Sequence, residues 1–226
     1  MSTLYIVATP IGNLEDITLR AIRILKEVDL VLCEDTRVTK KLLRHYEIDT
    51  ATMSYHAHSK ITKEEKIIAF LEEGKSVALV SDAGTPAISD PGAMLVQHIR
   101  NELPDVKIES VPGPSALTAA FSIAGIPVSD FTFYGFLPHK KGRQTLFQEI
   151  AESKRAAIFY ESPHRIEKAL TSLQEFCPNK TVTLVRELTK IYEDVLQGSA
   201  ESIMETLKEF PEKLRGEMVV IVSEQK

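Results

Sequence analysis

The sequence predicts an α/β protein of two domains, a parallel N-terminal sheet followed by a mixed C-terminal one. Short apolar runs alternate with helical stretches through the first half. Three of those runs end in stiff turns of one make-up: Ala8-Thr9-Pro10-Ile11-Gly12-Asn13, Ser81-Asp82-Ala83-Gly84-Thr85-Pro86 and Val111-Pro112-Gly113-Pro114-Ser115-Ala116. Beyond Gly125-Ile126-Pro127 the strands lengthen and pair more locally. The divide is placed there, giving domains over 1–125 and 126–226. The cleft between two such domains is where a ligand is expected.

Each N-terminal element has a local cause. Leu4 to Val7 reads as a buried strand. Asp16 is expected to cap a helix to about Lys26, with Ile17, Ala21, Ile24 and Leu25 on one face. Leu30 to Cys33 is the next strand, and a helix follows near Thr39 to Tyr46. Thr62-Lys63-Glu64-Glu65 has the form of a capping box, opening a helix that Gly74 ends. Val77 to Val80 is a central strand. Asp90-Pro91 supplies a cap plus a proline at the first helical position. Ile108 to Val111 is a strand, and Pro114-Ser115 opens an apolar helix to about Ala124.

In the second domain, strands are expected over Phe131 to Phe136, Ala156 to Tyr160, Thr181 to Arg186, Tyr192 to Gly198 and Glu217 to Ser223. Helices fall at about Gln144 to Glu152, Pro163 to Phe176 and Ala200 to Phe210. The link from Thr189 to Glu193 is too short for a crossover, so its strands should form a hairpin.

Bulk properties narrow the class. The 226 residues can bury a sizeable core, and 43% hydrophobic with 26% charged residues is ordinary for a globular protein. No apolar stretch approaches the roughly 18 to 20 residues of a membrane span, and no signal peptide is expected. Cys33 and Cys177 lack metal or redox spacing and read as buried thiols in a reducing cytoplasm. A net charge of −5 argues against a general nucleic-acid coat but permits a local basic patch.

The turns restrict the ligand. Proline fixes φ and glycine lets backbone approach closely, so the turns present main-chain groups in set directions. No G-x-G-x-x-G follows the first strand and no P-loop exists, which removes Rossmann dinucleotide and P-loop readings. No lysine or arginine lies in the three turns, so a triphosphate fits poorly. S-adenosylmethionine, with a sulfonium, an ammonium and one carboxylate, suits them, and Asp82 can face its cation. The alternative is that they are merely tight strand-to-helix turns.

The stretches Ala8 to Leu14 (ATPIGNL), Cys33 to Arg37 (CEDTR), Ser81 to Gly92 (SDAGTPAISDPG), Val111 to Ala116 (VPGPSA), Phe133 to Pro138 (FYGFLP) and Phe159 to Arg165 (FYESPHR) resemble one family. It is the tetrapyrrole methylase superfamily of S-adenosylmethionine-dependent methyltransferases, in its branch acting on small-subunit (16S) ribosomal RNA. The resemblance runs from Leu4 to Val222. It implies two α/β domains with the cofactor in the cleft between them, a cytoplasmic homodimer, and 2′-O-methylation of a cytidine ribose in the small ribosomal subunit. Cofactor contacts are implied at Pro10, Gly12, Asp82, Ala83, Gly84, Thr85, Pro86, Pro112, Gly113, Ser115 and Ala116. In the second domain they are implied near Tyr160, Leu188, Gly216 and Glu217. Many members carry a further C-terminal segment, whose RNA contacts are expected to be absent or replaced here.

Transfer to a ribose hydroxyl calls for a base or a cation near that weak acid. Glu34 or Asp35 can take the proton, and Arg37 can bind a phosphate or steady developing oxyanion charge. The same three can equally form a capping and ion-pair cluster. Glu161, His164 and Arg165 are a second group, at what is also an ordinary helix start. For RNA, Lys40, Lys41 and Arg44 can share a helix face. Lys140, Lys141 and Arg143 lie in a basic, glycine-bearing loop. Tyr55, His56 and His58 can stack on a base. A porphyrinoid or protein methyltransferase, or a non-catalytic cofactor-binding module, stays open as the alternative function.

Overall fold

A computed structural model of the chain describes residues 2–56, 61–90 and 92–225. Two compact units are present, Met1–Ser115 and Ala116–Lys226. Expectations on His58 and Pro91 lie outside the described residues.

The first unit has five strands: β1 (Thr3–Val7), β2 (Leu30–Cys33), β3 (Thr52–Ser54), β4 (Val77–Leu79) and β5 (Lys107–Val111). All pair in parallel, in the order β3-β2-β4-β1-β5. Strand side chains alternate faces, and both faces here are apolar. Val7, Val31, Cys33, Ala78 and Val80 meet α1 (Leu19–Glu27) and α2 (Thr36–His45) through Ile24, Leu25, Leu42 and Leu43. Leu4, Leu30, Leu32, Val77 and Leu79 meet α3 (Ile61–Glu72) and α4 (Gly92–Glu102) through Ile67, Leu71, Leu95 and Ile99. Helices on both faces are the usual cover of a parallel sheet.

Local capping corrects three expectations. Asp16 does not cap α1. It ends a single 3-10 turn over Leu14–Asp16 whose cap is Asn13, and Thr18 caps α1 by accepting from the Ala21 amide. Thr62 lies inside α3, one residue past its start, so it is not that helix's cap. Asp35 caps α2, a turn earlier than periodicity suggests, because its carboxylate accepts from the Arg37 amide. At α4 the Asp90 carboxylate accepts from the Gly92 and Ala87 amides.

The second unit carries β6 (Phe131–Phe136), β7 (Ala156–Glu161), β8 (Lys180–Arg186), β9 (Asp194–Gly198) and β10 (Met218–Glu224), in the order β6-β7-β10-β8-β9. Only β6 and β7 are parallel; the other pairings are antiparallel, and β8 with β9 forms the expected hairpin. One face packs on α6 (Arg143–Glu152), α7 (Pro163–Phe176) and α8 (Ala200–Glu209). Phe147, Phe159, Leu170, Leu173, Leu184, Ile203 and Val220 are the centre of that core. On the other face, Gln197 Nε2 donates to Thr183 Oγ1 and to the Ala124 carbonyl. This secures α5 (Ala116–Ile123), which packs against β10. Hence the contact boundary falls before α5, at Ser115, rather than after it at Gly125.

Phe159 has no exposed surface at the centre of the second core. Phe159→Ala is expected to destabilise the protein by about 3–5 kcal/mol, read as a lowered urea midpoint. A loss under about 1 kcal/mol would mean that the site collapses around the gap.

Candidate active site

Parallel pairing puts the carboxyl ends of β2, β4, β1 and β5 on one edge, in that order, so the three predicted turns are neighbours. They are bonded into one surface. The Thr9 amide donates to the Gly84 carbonyl (2.9 Å) and the Gly84 amide to the Thr9 carbonyl (3.0 Å). The Ala8 amide donates to Val111 O, Thr9 Oγ1 to Ser81 O and Thr85 Oγ1 to Pro114 O. Gly84 has φ +84°, and a Cβ there would lie 3.3 Å from Ile11 Cγ2. A Cβ on Gly113 would lie 3.1 Å from the Ala8 Cβ. Glycine is needed at both positions, once for φ and once for closeness. Gly12, Asp82, Ala83, Pro112 and Gly113 are exposed; Pro10, Thr85 and Ser115 are half-buried; Gly84 and Pro86 are buried; Ala116 opens α5.

Between β2 and β4 the chain reverses its direction of travel across the sheet. The helix after β2 covers one face and the helix after β4 the other. Ligands of open α/β sheets bind at such a switch point, outside the carboxyl ends. A concavity of about 410 Å³ lies there, lined by Glu34, Asp35, Thr36, Arg37, Ser54, His56 and Asp82. The Asp82 carboxylate accepts from the Asp35 amide at 3.0 Å, which ties the two strand ends together.

The two candidate acids are separated by their surroundings. Asp35 accepts from Arg37 Nε and Nη2 (3.0 and 2.6 Å) as well as from its amide. The Arg37 guanidinium, then that amide, pull the Asp35 carboxyl down to about 2. Asp35 is thus a cap and an ion-pair partner, and a poor proton acceptor. Among the described residues Glu34 has no guanidinium against it, and the lowering effects of His56 and the Asp82 backbone are the weaker ones. Desolvation first, then repulsion from Asp90 and Asp82, raises its carboxyl above the ordinary value. A raised carboxyl in a concavity is the pattern of a general base.

The other expected residues are dispersed. Lys40, Lys41 and Arg44 are exposed along α2, opposite buried Thr39, Leu42 and Leu43. Tyr55 is buried, with its hydroxyl on Glu64, and cannot stack on a base. In the second unit, Tyr160, Leu188, Gly216 and Glu217 lie along one sheet edge, where Val219 pairs with Tyr160 and the Glu187 amide donates to Glu217 O. Gly216 has φ +87°, and its missing Cβ leaves room for Glu187. Lys140 and Lys141 are exposed, but Arg143 is buried against Glu161 and Phe147 and leaves the set of expected RNA contacts. Glu161 is fully buried, so it is no base for a bound ribose. Sequence reading missed Ser54, which reaches the concavity on the unforeseen strand β3; its three half-buried residues carry no periodicity to find.

The chain belongs to the tetrapyrrole methylase family: the model for Tetrapyrrole (Corrin/Porphyrin) Methylases matches residues 3–204. Within it, the chain is 47% identical to the ribosomal RNA small subunit methyltransferase I of Halalkalibacterium halodurans, over 97% of this chain and 75% of that one. It is 42% identical to the protein of that name from Thermotoga maritima, over 99% of each. Among solved structures, the methyltransferase CobJ matches with a TM-score of 0.72 at 19% identity, over 99% of this chain and 95% of that one. A uroporphyrin-III C-methyltransferase from Thermus thermophilus, complexed with S-adenosyl homocysteine, matches with a TM-score of 0.65 at 20% identity, over 98% and 97%. At such identities the last two are similar in fold.

Carboxyl titration by NMR is expected to give an Asp35 midpoint of about 2 and a Glu34 midpoint above 4.5. Because the folded value of Asp35 lies below the unfolded one, its stabilisation is complete above about pH 4 and is lost as pH falls towards 2. Arg37→Gln should raise the Asp35 midpoint towards 3.8. A Glu34 midpoint at or below the ordinary range would remove the distinction between the two acids.

Proposed function

We propose that the chain transfers a methyl group from S-adenosylmethionine to the 2′-hydroxyl of a cytidine in small-subunit ribosomal RNA. One observation carries the choice of acceptor. Likeness to ribosomal RNA methyltransferases runs at 42–47% identity over nearly the whole chain, while likeness to CobJ and to the uroporphyrin-III C-methyltransferase stays near 20%.

The turn surface fits the cofactor. The turn residues it exposes are Gly12, Asn13, Asp82, Ala83, Pro112 and Gly113, with no lysine or arginine among them. Asp82, Ala83, Gly84, Gly113 and Ser115 are the positions assigned to hold S-adenosylmethionine, and a side chain at Gly84 would crowd that surface. Bound there, the cofactor supplies an electrophilic methyl on a sulfonium. Glu34 is assigned the proton of the ribose hydroxyl, and its raised carboxyl keeps it basic enough for that role. Arg37, mostly exposed, stands at the rim with α2 behind it. Lys40, Lys41 and Arg44 offer phosphates a row of cations.

The small ribosomal subunit and a second copy of the chain are the partners this reading implies, in the cytoplasm. Among the described residues no helix is long and apolar enough to cross a membrane.

Radiolabelled methyl transfer to isolated small subunits, with nuclease mapping, tests the reading; cofactor binding without label in RNA would leave only a binding module or another acceptor. Glu34→Gln should lower kcat about 10²- to 10⁴-fold. Wild-type activity should fall as pH drops through the raised Glu34 midpoint, and the variant's residual activity should lose that limb. An unchanged acid limb would exclude Glu34 as the base. Lys40→Gln should weaken subunit binding and lower the slope of log affinity against log salt by about 1. An unaltered slope would take Lys40 off the phosphate path.

A further inference from the structure

The second unit holds an exposed aromatic ring beside a pinned basic loop, which the proposed chemistry does not use. Phe136 is the last residue of β6, an edge strand, and is 61% exposed. Strict alternation would put Phe133 and Phe136 on opposite faces of the sheet. A register shift prevents this: Phe133 pairs with Ile158 and Phe136 with Tyr160, so three residues of β6 span two of β7. Gly135, at φ +62°, absorbs the extra residue. Both rings therefore lie against Tyr160, at centroid distances of 5.1 and 5.4 Å and interplanar angles of 67° and 63°. Edge-on packing holds the Phe136 ring and leaves most of its surface to solvent.

The next residues are equally constrained. Leu137 is buried in the core, and its carbonyl accepts from Arg165 Nη2. The Pro138 carbonyl accepts from Arg143 Nη1 at 3.2 Å. Arg165 Nη1 lies 3.5 Å from His139 Nε2. Glu161, whose side chain is fully buried, pairs with Arg165 at 3.1 Å and faces Arg143 at 3.8 Å, beyond hydrogen-bond reach. His139, Lys140 and Lys141 project from this base, exposed, and neither lysine has an ion pair among the described residues. Two guanidiniums face one carboxylate here and the loop adds two exposed lysines, in a chain whose net charge is −5.

An exposed, oriented ring followed by unpaired cations is how proteins hold single-stranded nucleic acid, with the base stacked and the backbone gripped. A duplex would offer no open base. We infer that Phe136, with His139, Lys140 and Lys141, forms a subsite for an unpaired RNA nucleotide outside the reacting one. Phe136 takes the base and the lysines take its phosphates, while Arg143, Arg165 and Glu161 are positioning residues for the loop. The inference rests on the RNA methyltransferase reading.

The chain has no tryptophan, so Phe136→Trp makes a sole reporter. Its fluorescence should be quenched by a single-stranded oligoribonucleotide and much less by the matching duplex. Phe136→Leu keeps bulk against Tyr160 but loses the π face. It should weaken oligonucleotide binding about 10-fold or more and raise KM for small subunits more than it lowers kcat, while Phe136→Tyr restores both. S-adenosylmethionine affinity by calorimetry, and mass by sedimentation, should be equal in all variants. Wild-type methylation of subunits with a Leu variant indistinguishable from it would overturn the subsite and leave the enzyme reading standing. A parallel loss of cofactor affinity, or a change in mass, would also overturn it, in favour of support for Tyr160 or a contact between copies. If the wild type methylates no ribosomal RNA, both inferences fall together.

Discussion

Two reciprocal hydrogen bonds, between the backbones of Thr9 and Gly84, set the working edge of the first unit. β1 and β4 run parallel, yet beyond their ends the chain doubles back so that these residues pair in the antiparallel sense. Only a left-handed residue makes that reversal, and Gly84 provides it. Ser81 Oγ and Thr9 Oγ1 then satisfy the carbonyls of the reversed turn. Asp82 is left at its apex, reaching across to the Asp35 amide on the neighbouring strand end. From there the contacts run on through Asp35 to Arg37 and the first turn of α2.

The charges on that edge are sorted by position. The concavity collects Glu34, Asp35 and Asp82 with Arg37 paired to Asp35, while Lys40, Lys41 and Arg44 stand outward on α2. On the proposed function this separation has a physical use. A phosphate is repelled from the acidic interior and held at the rim, whereas a ribose hydroxyl and a sulfonium are neutral or favoured inside. Within the concavity, one ion pair decides which acid stays available. Arg37 engages Asp35, so Asp35 gives α2 its cap, and Glu34 keeps the neighbours that hold its proton more tightly.

Much of this was legible in the residues. The apolar runs of β1, β2 and β4 and the proline-glycine turns located one edge of a parallel sheet, because burial on both faces leaves few polar interruptions. Composition could not tell Glu34 from Asp35, since adjacent carboxylates differ only through partners brought by folding. Arg143 was misread for the same reason. It sits in a run of basic residues, yet the helix that starts there turns it inward onto Glu161, a residue distant in sequence. The bulge at Gly135 was equally hidden, because its signal is a pairing between two strands and not a pattern within one.

The buried carboxylate of Glu161 has a consequence for how this surface tolerates change. Loop tips of exposed, small and charged residues usually accept inserted segments, and His139 to Gly142 has that look. Both carbonyls that enter the tip are held by arginines that share one buried carboxylate. Lengthening the loop would draw those carbonyls away and leave two guanidiniums facing one acid without their remaining partners. A tip that looks free to drift is tied at its base by a group that never meets the solvent.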